Sequence, residues 1–174
     1  MVTLGLDIST SCVGYAFTKD KKILDMGFID IKKQKTPREK VFFVLEFLNN
    51  ISYIDNVDKI YVEDNLSGFA GGRTSQQVIV KLAKFNAVLC FVIEDTFDVE
   101  VKNVNPMTAR KQVFGKARVK GVKAKDFVKR QIDELYDTKK WCKTTSRGNW
   151  DKRNIDAYDG LVMSLFEEKA WLIY

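Results

Sequence analysis

Four carboxylates stand in apolar settings where charge is costly. Asp7 interrupts the run Leu4-Gly5-Leu6-Asp7-Ile8, and an ionised acid there needs a cation or hydrogen-bond donors. Glu63 closes Ile60-Tyr61-Val62-Glu63 in the same relation to its apolar neighbours. Asp156 and Asp159 are three residues apart, so on a helix they point from one face, which continues to Met163. Gathered beside an apolar sheet, the four would repel one another, and they are tolerable together only if divalent cations neutralise them. Hard oxygen donors with no imidazole or thiolate partner favour Mg²⁺ or Mn²⁺. Singly, each acid also has a plainer reading. Asp156 suits a helix first turn, where the dipole favours an acid; Asp7 suits a turn at a strand end; Glu63 could pair with a lysine.

The chain contains no histidine. That excludes Ser-His-Asp and Cys-His triads, HExxH zinc sites and imidazole proton shuttles. Chemistry here must come from carboxylates, lysines, hydroxyls or a metal held by oxygen. Three cysteines (Cys12, Cys90, Cys142) are an odd number, widely spaced and without CxxC pairing, which argues against a disulfide framework and a zinc ribbon. They read as reduced thiols of an intracellular, cytoplasmic protein.

The net charge of +6 hides a division. Residues 102–153 hold 16 Lys and Arg against five acids, net +11, while the remainder has 13 basic and 18 acidic residues, net −5. A basic third on a mildly acidic remainder is the footprint of a phosphate-backbone binder; the plain alternative is a lysine-rich solvated surface. Lys111, Lys116, Arg118, Lys120 and Lys123 are the candidate phosphate contacts within it.

The elements that must position these groups follow from pattern. The 174 residues, 45% apolar and 30% charged, suit one soluble globular domain spanning 1–174. The longest unbroken apolar run, residues 87–93, is far short of a membrane span, and the N-terminus lacks the marks of a secretion signal. Alternation predicts strands over 2–8, 13–18 and 23–31, joined by short polar turns as an antiparallel meander. Thr36-Pro37-Arg38-Glu39 is a capping box opening a helix to about residue 50, with Val41, Val44, Leu45 and Leu48 on its buried face. A strand over 59–62 delivers Glu63. A glycine-containing loop over 67–74 precedes a helix over 75–93 with Val78, Leu82, Phe85 and Leu89 in register. A fifth strand over 99–104, an Asn105-Pro106 helix start, a basic loop over 114–121, a helix over 122–135, a polar loop over 136–150 and a last helix from 152 to about 170 complete the chain. The expected class is α/β: a five-stranded mixed sheet, meander plus two strands reached through helical crossovers, flanked by helices.

At Leu4-Gly5-Leu6-Asp7-Ile8-Ser9-Thr10 with Gly14, at Ile60-Tyr61-Val62-Glu63 and at Asp156-Ala157-Tyr158-Asp159-Gly160-Leu161, the sequence resembles the RuvC-type Holliday junction resolvases of the ribonuclease H-like nuclease superfamily. The resemblance covers essentially the whole chain. It implies a ribonuclease H-like fold, two Mg²⁺ ions per active site held by Asp7, Glu63, Asp156 and Asp159, and Mn²⁺ as a substitute. It also implies cleavage of four-way and related branched DNA by a homodimer. Gly121-Val122-Lys123-Ala124-Lys125 resembles the family's glycine-to-lysine segment, making Lys125 a catalytic-site lysine; Lys111 is placed like a second one.

Leu66 departs from the pattern, since the family usually has an aromatic there. Phe69, three residues on in a glycine-rich stretch with Arg73, reads either as a wedge against an unpaired base or as ordinary core. Rival readings are an actin-like or sugar-kinase-like ATPase, for which the chain lacks room, a related nuclease acting on forks, flaps or RNA–DNA hybrids, and a catalytically silent nucleic-acid-binding module.

Overall fold

The computed structural model describes residues 1–64 and 76–167. Phe69 and Arg73, with the rest of the glycine-containing loop, lie outside these residues. The chain opens with strands β1 (Val2–Ile8), β2 (Cys12–Lys19) and β3 (Lys22–Asp30). They form the expected meander, β1 antiparallel to β2 and β2 to β3. Asp20 and Lys21 both have positive φ, +50° and +62°, at the β2–β3 turn, the backbone hand of a tight two-residue hairpin.

Helix α1 (Pro37–Asn49) then carries the chain across the sheet. Thr36 accepts a hydrogen bond from the Glu39 amide, and the Glu39 carboxylate accepts one from the Thr36 amide. That reciprocal cap fixes where the helix starts. Its predicted face, Val41, Val44, Leu45 and Leu48, is buried. Strand β4 (Val57–Glu63) runs parallel to β1, α2 (Gln76–Phe97) crosses over, and β5 (Val101–Val104) runs parallel to β4. The sheet order is β3-β2-β1-β4-β5. Helices α3 (Pro106–Phe114), α4 (Ala124–Leu135) and α5 (Asn154–Ser164) follow.

Two apolar cores lie on the two faces of the sheet. Leu4, Leu6, Ile8, Ile60 and Val62 join α1 and α2 in one; Ala16, Tyr61 and Val104 join α3, α4 and α5 in the other. Side chains alternate along a strand. With Leu6, Ile8 and Val62 committed to the first core, Asp7 and Glu63 must point to the second face, toward α5.

Two expectations need correction. Val78 is exposed, because α2 meets the sheet only from Phe85 onward, through Phe85, Leu89 and Ile93. The last helix ends at Ser164 rather than near residue 170; Leu165 and Phe166 turn back onto Leu161 and Met163 through backbone hydrogen bonds. Helix α2 is long and apolar enough in composition to resemble a span, but its Phe85, Leu89 and Ile93 are buried in the first core.

Candidate active site

The site is built where α5 lies directly on the first two strands. Asp7 pairs across the ladder with Gly14. A Cβ on Gly14 would stand 1.9 Å from the Asp156 carbonyl oxygen, and one on Gly5 would stand 2.1 Å from the Gly160 carbonyl oxygen. No residue with a side chain fits at either place. The absent side chains let the backbone of α5 settle against β1 and β2, bringing its acidic face to the strand end that carries Asp7.

The start of α5 is pinned from three sides. The Asn154 amide group bridges the Lys143 backbone, accepting at 2.9 Å and donating at 2.8 Å. Arg153 donates to Asp151 at 3.0 and 2.6 Å and reaches Asp30 at the end of β3. The Tyr158 hydroxyl donates to Asp133 of α4 at 2.7 Å and receives a hydrogen bond from Thr138 at 2.6 Å. These contacts fix the rotation of α5, so Tyr158 faces away from the sheet end and Asp156 and Asp159 face toward it. A cleft of about 680 Å³ between α4, the 136–150 loop and α5 opens onto this Tyr158 network and includes none of the four acids.

Two cations sit among the acids. An Nη of Arg110, on α3, lies 3.0 Å from an Asp159 carboxylate oxygen and 3.7 Å from Glu63 Oε2. Lys125, in the first turn of α4, donates to Asp156 at 3.1 Å. Asp7, Glu63, Asp159 and Arg110 are buried, Asp156 partly so. Burial, then the charges of Asp7 and Asp159, push the Glu63 carboxyl up to about 9, against the pull of Arg110 and Lys125. Burial also raises Asp159, opposed chiefly by Arg110. For Lys125, burial works against the charge, but Asp156, Asp159 and Asp7 outweigh it and hold the ammonium above its ordinary value. Burial, then the charge of Asp156, raises the Cys12 thiol above its ordinary value. The four acids are thus electrostatic neighbours, as their positions in the sequence implied.

The expectation that only divalent cations could make this cluster tolerable needs correction. Arg110 and Lys125 already supply two positive charges, and among the described residues no three acidic or thiol groups form a ready-made cation nest. The donor set still suits a hard divalent ion. It is all oxygen, and Glu63 Oε2 is buried without a hydrogen-bond partner.

Arg110 is the residue that sequence reasoning missed. Lys111, the expected second lysine, is exposed one position further on. Arg110 precedes Val113 and Phe114 by three and four residues, and both pack on the second core. A cation in line with an apolar helical stripe was the available signal, the same signal that singles out Asp7 on its strand. Lys116, Arg118, Lys120 and Lys123 are exposed on the loop between α3 and α4, which ends at the turn bearing Lys125.

Comparison with protein-family models and with curated proteins gives no match. Among solved structures, the chain is similar to the Thermus thermophilus RuvC structure, with a TM-score of 0.64 and 13% identity, covering 94% of this chain and 91% of that one. It is similar too to T. thermophilus RuvC in complex with a Holliday junction substrate, with a TM-score of 0.65 and 13% identity, covering 94% and 90%. At that identity the likeness shows the fold: a five-stranded mixed sheet with flanking helices, of the RuvC and ribonuclease H-like kind.

Proposed function

We propose that the chain is a divalent-metal-dependent endonuclease that cuts four-way junctions and related branched DNA. One observation carries the reading: Asp7, Glu63, Asp156 and Asp159 are electrostatic neighbours at one end of the sheet, with an exposed basic loop ending beside them. The fold shared with a RuvC captured on a Holliday junction substrate supports the choice of branched DNA over other nucleic acids.

In this reading the four carboxylates hold Mg²⁺ or Mn²⁺, two ions per site. Bound there, the ions supply water activation near neutral pH and charge stabilisation at the phosphate. Lys125 keeps its proton and sets a positive charge at the rim of the acid cluster, where it offsets phosphate charge. Lys116, Arg118, Lys120 and Lys123 bind backbone phosphates on the approach. A two-fold symmetric junction cut at two points calls for two sites, hence a homodimer. The exposed apolar positions Val80 and Phe91 on α2, on the far side from the sheet, suit a second copy.

The test is cleavage of four-way junction, fork, RNA–DNA hybrid and linear duplex in parallel, with Mg²⁺, Mn²⁺ or EDTA. Divalent-dependent cutting of the junction ahead of linear duplex is expected. Asp7→Asn should abolish cutting while leaving junction binding intact or tighter, because the amide keeps the shape and loses the charge. Cutting within about tenfold of wild type in single turnover removes Asp7 from the site. Junction binding with no cutting in either metal leaves a silent binding module instead.

A further inference from the structure

The guanidinium of Arg110 makes an incomplete ion pair in a place where completeness is the rule. A guanidinium that holds a carboxylate for stability commonly does so with two parallel N–H groups, and buried members of such a pair have their remaining polar atoms satisfied. Arg110 instead shares one Nη between Asp159 at 3.0 Å and Glu63 at 3.7 Å. Its Nε is buried with no hydrogen-bond partner, and so is Glu63 Oε2. A single positive charge thus holds two buried acids without saturating either. Lys125, more exposed at the rim, forms its ion pair with Asp156.

We propose that Arg110 is a built-in counter-cation of the Glu63–Asp159 pair, displaced when a divalent ion takes those oxygens. Metal loading is then an exchange of cations rather than the filling of a vacant nest. The exchange keeps the metal-free protein folded around acids that would otherwise repel, and it sets a lower metal affinity than the four carboxylates alone would give. This rests on the metal-dependent reading above but adds a competitor to it, drawn from α3.

Direct Mn²⁺ binding, measured without DNA by the loss of free-ion paramagnetic resonance signal, tests the exchange. Arg110→Gln should tighten Mn²⁺ binding by about tenfold or more, since a positive charge within 4 Å of the ligands is removed. It should also lower the melting temperature in EDTA and recover it in saturating Mn²⁺. Unchanged or weaker Mn²⁺ binding by a folded Arg110→Gln overturns the proposal and assigns Arg110 a purely structural or supporting role. If wild type and Arg110→Gln both fail to bind Mn²⁺, the metal-dependent reading falls with it. Because Arg110→Gln could fail to fold in EDTA, wild-type protein provides the second measurement. In ¹⁵N-arginine side-chain spectra, the Arg110 resonance, identified by its loss in Arg110→Lys, should pass from restricted to solvent-like on Mg²⁺ titration. No change at saturating Mg²⁺ overturns the exchange.

Discussion

Single residues at this site are legible where they break a pattern. Asp7 and Glu63 stand out because alternation sends Leu6, Ile8 and Val62 one way and leaves an acid facing the other. Arg110 breaks the apolar stripe of α3 in the same manner, but it stands among 16 basic residues between 102 and 153, where one more cation draws no notice. Asp151 was invisible for a different reason, since its carboxylate matters through Arg153, two residues on, whose reach to Asp30 no local pattern reports. Its carboxylate is held to about 2 first by the Arg153 side chain and also by the Arg153 amide. The folded value lies below the unfolded one, so the contribution is full above about pH 4 and disappears as pH falls through 2. Asp151→Asn should therefore cost about 1–2 kcal/mol at neutral pH, allowing for the partial exposure of Arg153. In urea denaturation, the gap between wild type and variant should narrow steadily below pH 4. A gap that stays constant down to pH 3 means that Asp151 acts by shape alone.

At the scale of elements, local signals predicted starts better than ends. Thr36 and Glu39 announce α1, and Asn105 with Pro106 announces α3, because a cap is a contact between residues three or fewer apart. The stop of α5 at Ser164 and the exposure of Val78 depend on where the sheet runs out, which no local spacing reports. Gly14 belongs to both worlds. In the sequence it is a glycine in a strand, and in the fold it is the gap through which α5 reaches Asp7. Gly14→Ala would set a methyl 1.9 Å from the Asp156 carbonyl oxygen, against backbone that cannot rotate away. The helix must lift, at about 3 kcal/mol or more in stability. Cleavage should fall by about a hundredfold or more, because Asp156 and Asp159 leave Asp7 and Glu63 behind. Gly148→Ala, at a surface turn, tests strain alone, since a Cβ there meets nothing within 4 Å. Equal loss of activity in the two variants would remove the close approach from the argument.

For the whole molecule, charge and apolar surface divide the labour. The basic surface lies with α3, α4 and their loop on one side of the sheet, while α2 lies on the other and exposes Val80, Val88 and Phe91 among polar residues. Phe91 is 71% exposed and Val80 50%, eleven residues apart on α2 and so on one helical stripe. Exposed apolar groups so aligned mark an association surface more than a solvated one. In the proposed dimer this stripe meets its own copy, leaving the two acid clusters free to address two strands of one junction. Phe91→Glu combined with Val80→Glu should give monomers by sedimentation velocity at micromolar concentration. Circular dichroism and thermal melting should stay close to wild type, since neither side chain is part of the core. The functional consequence separates a dimeric resolvase from a nuclease that merely associates. A monomer should nick one strand of a cruciform plasmid and release the nicked circle, whereas the dimer should cut both strands within one binding event and give linear product. If the double variant remains dimeric, the α2 stripe is not the interface. If it is monomeric and still gives linear product at the wild-type rate, paired cutting does not need two joined copies.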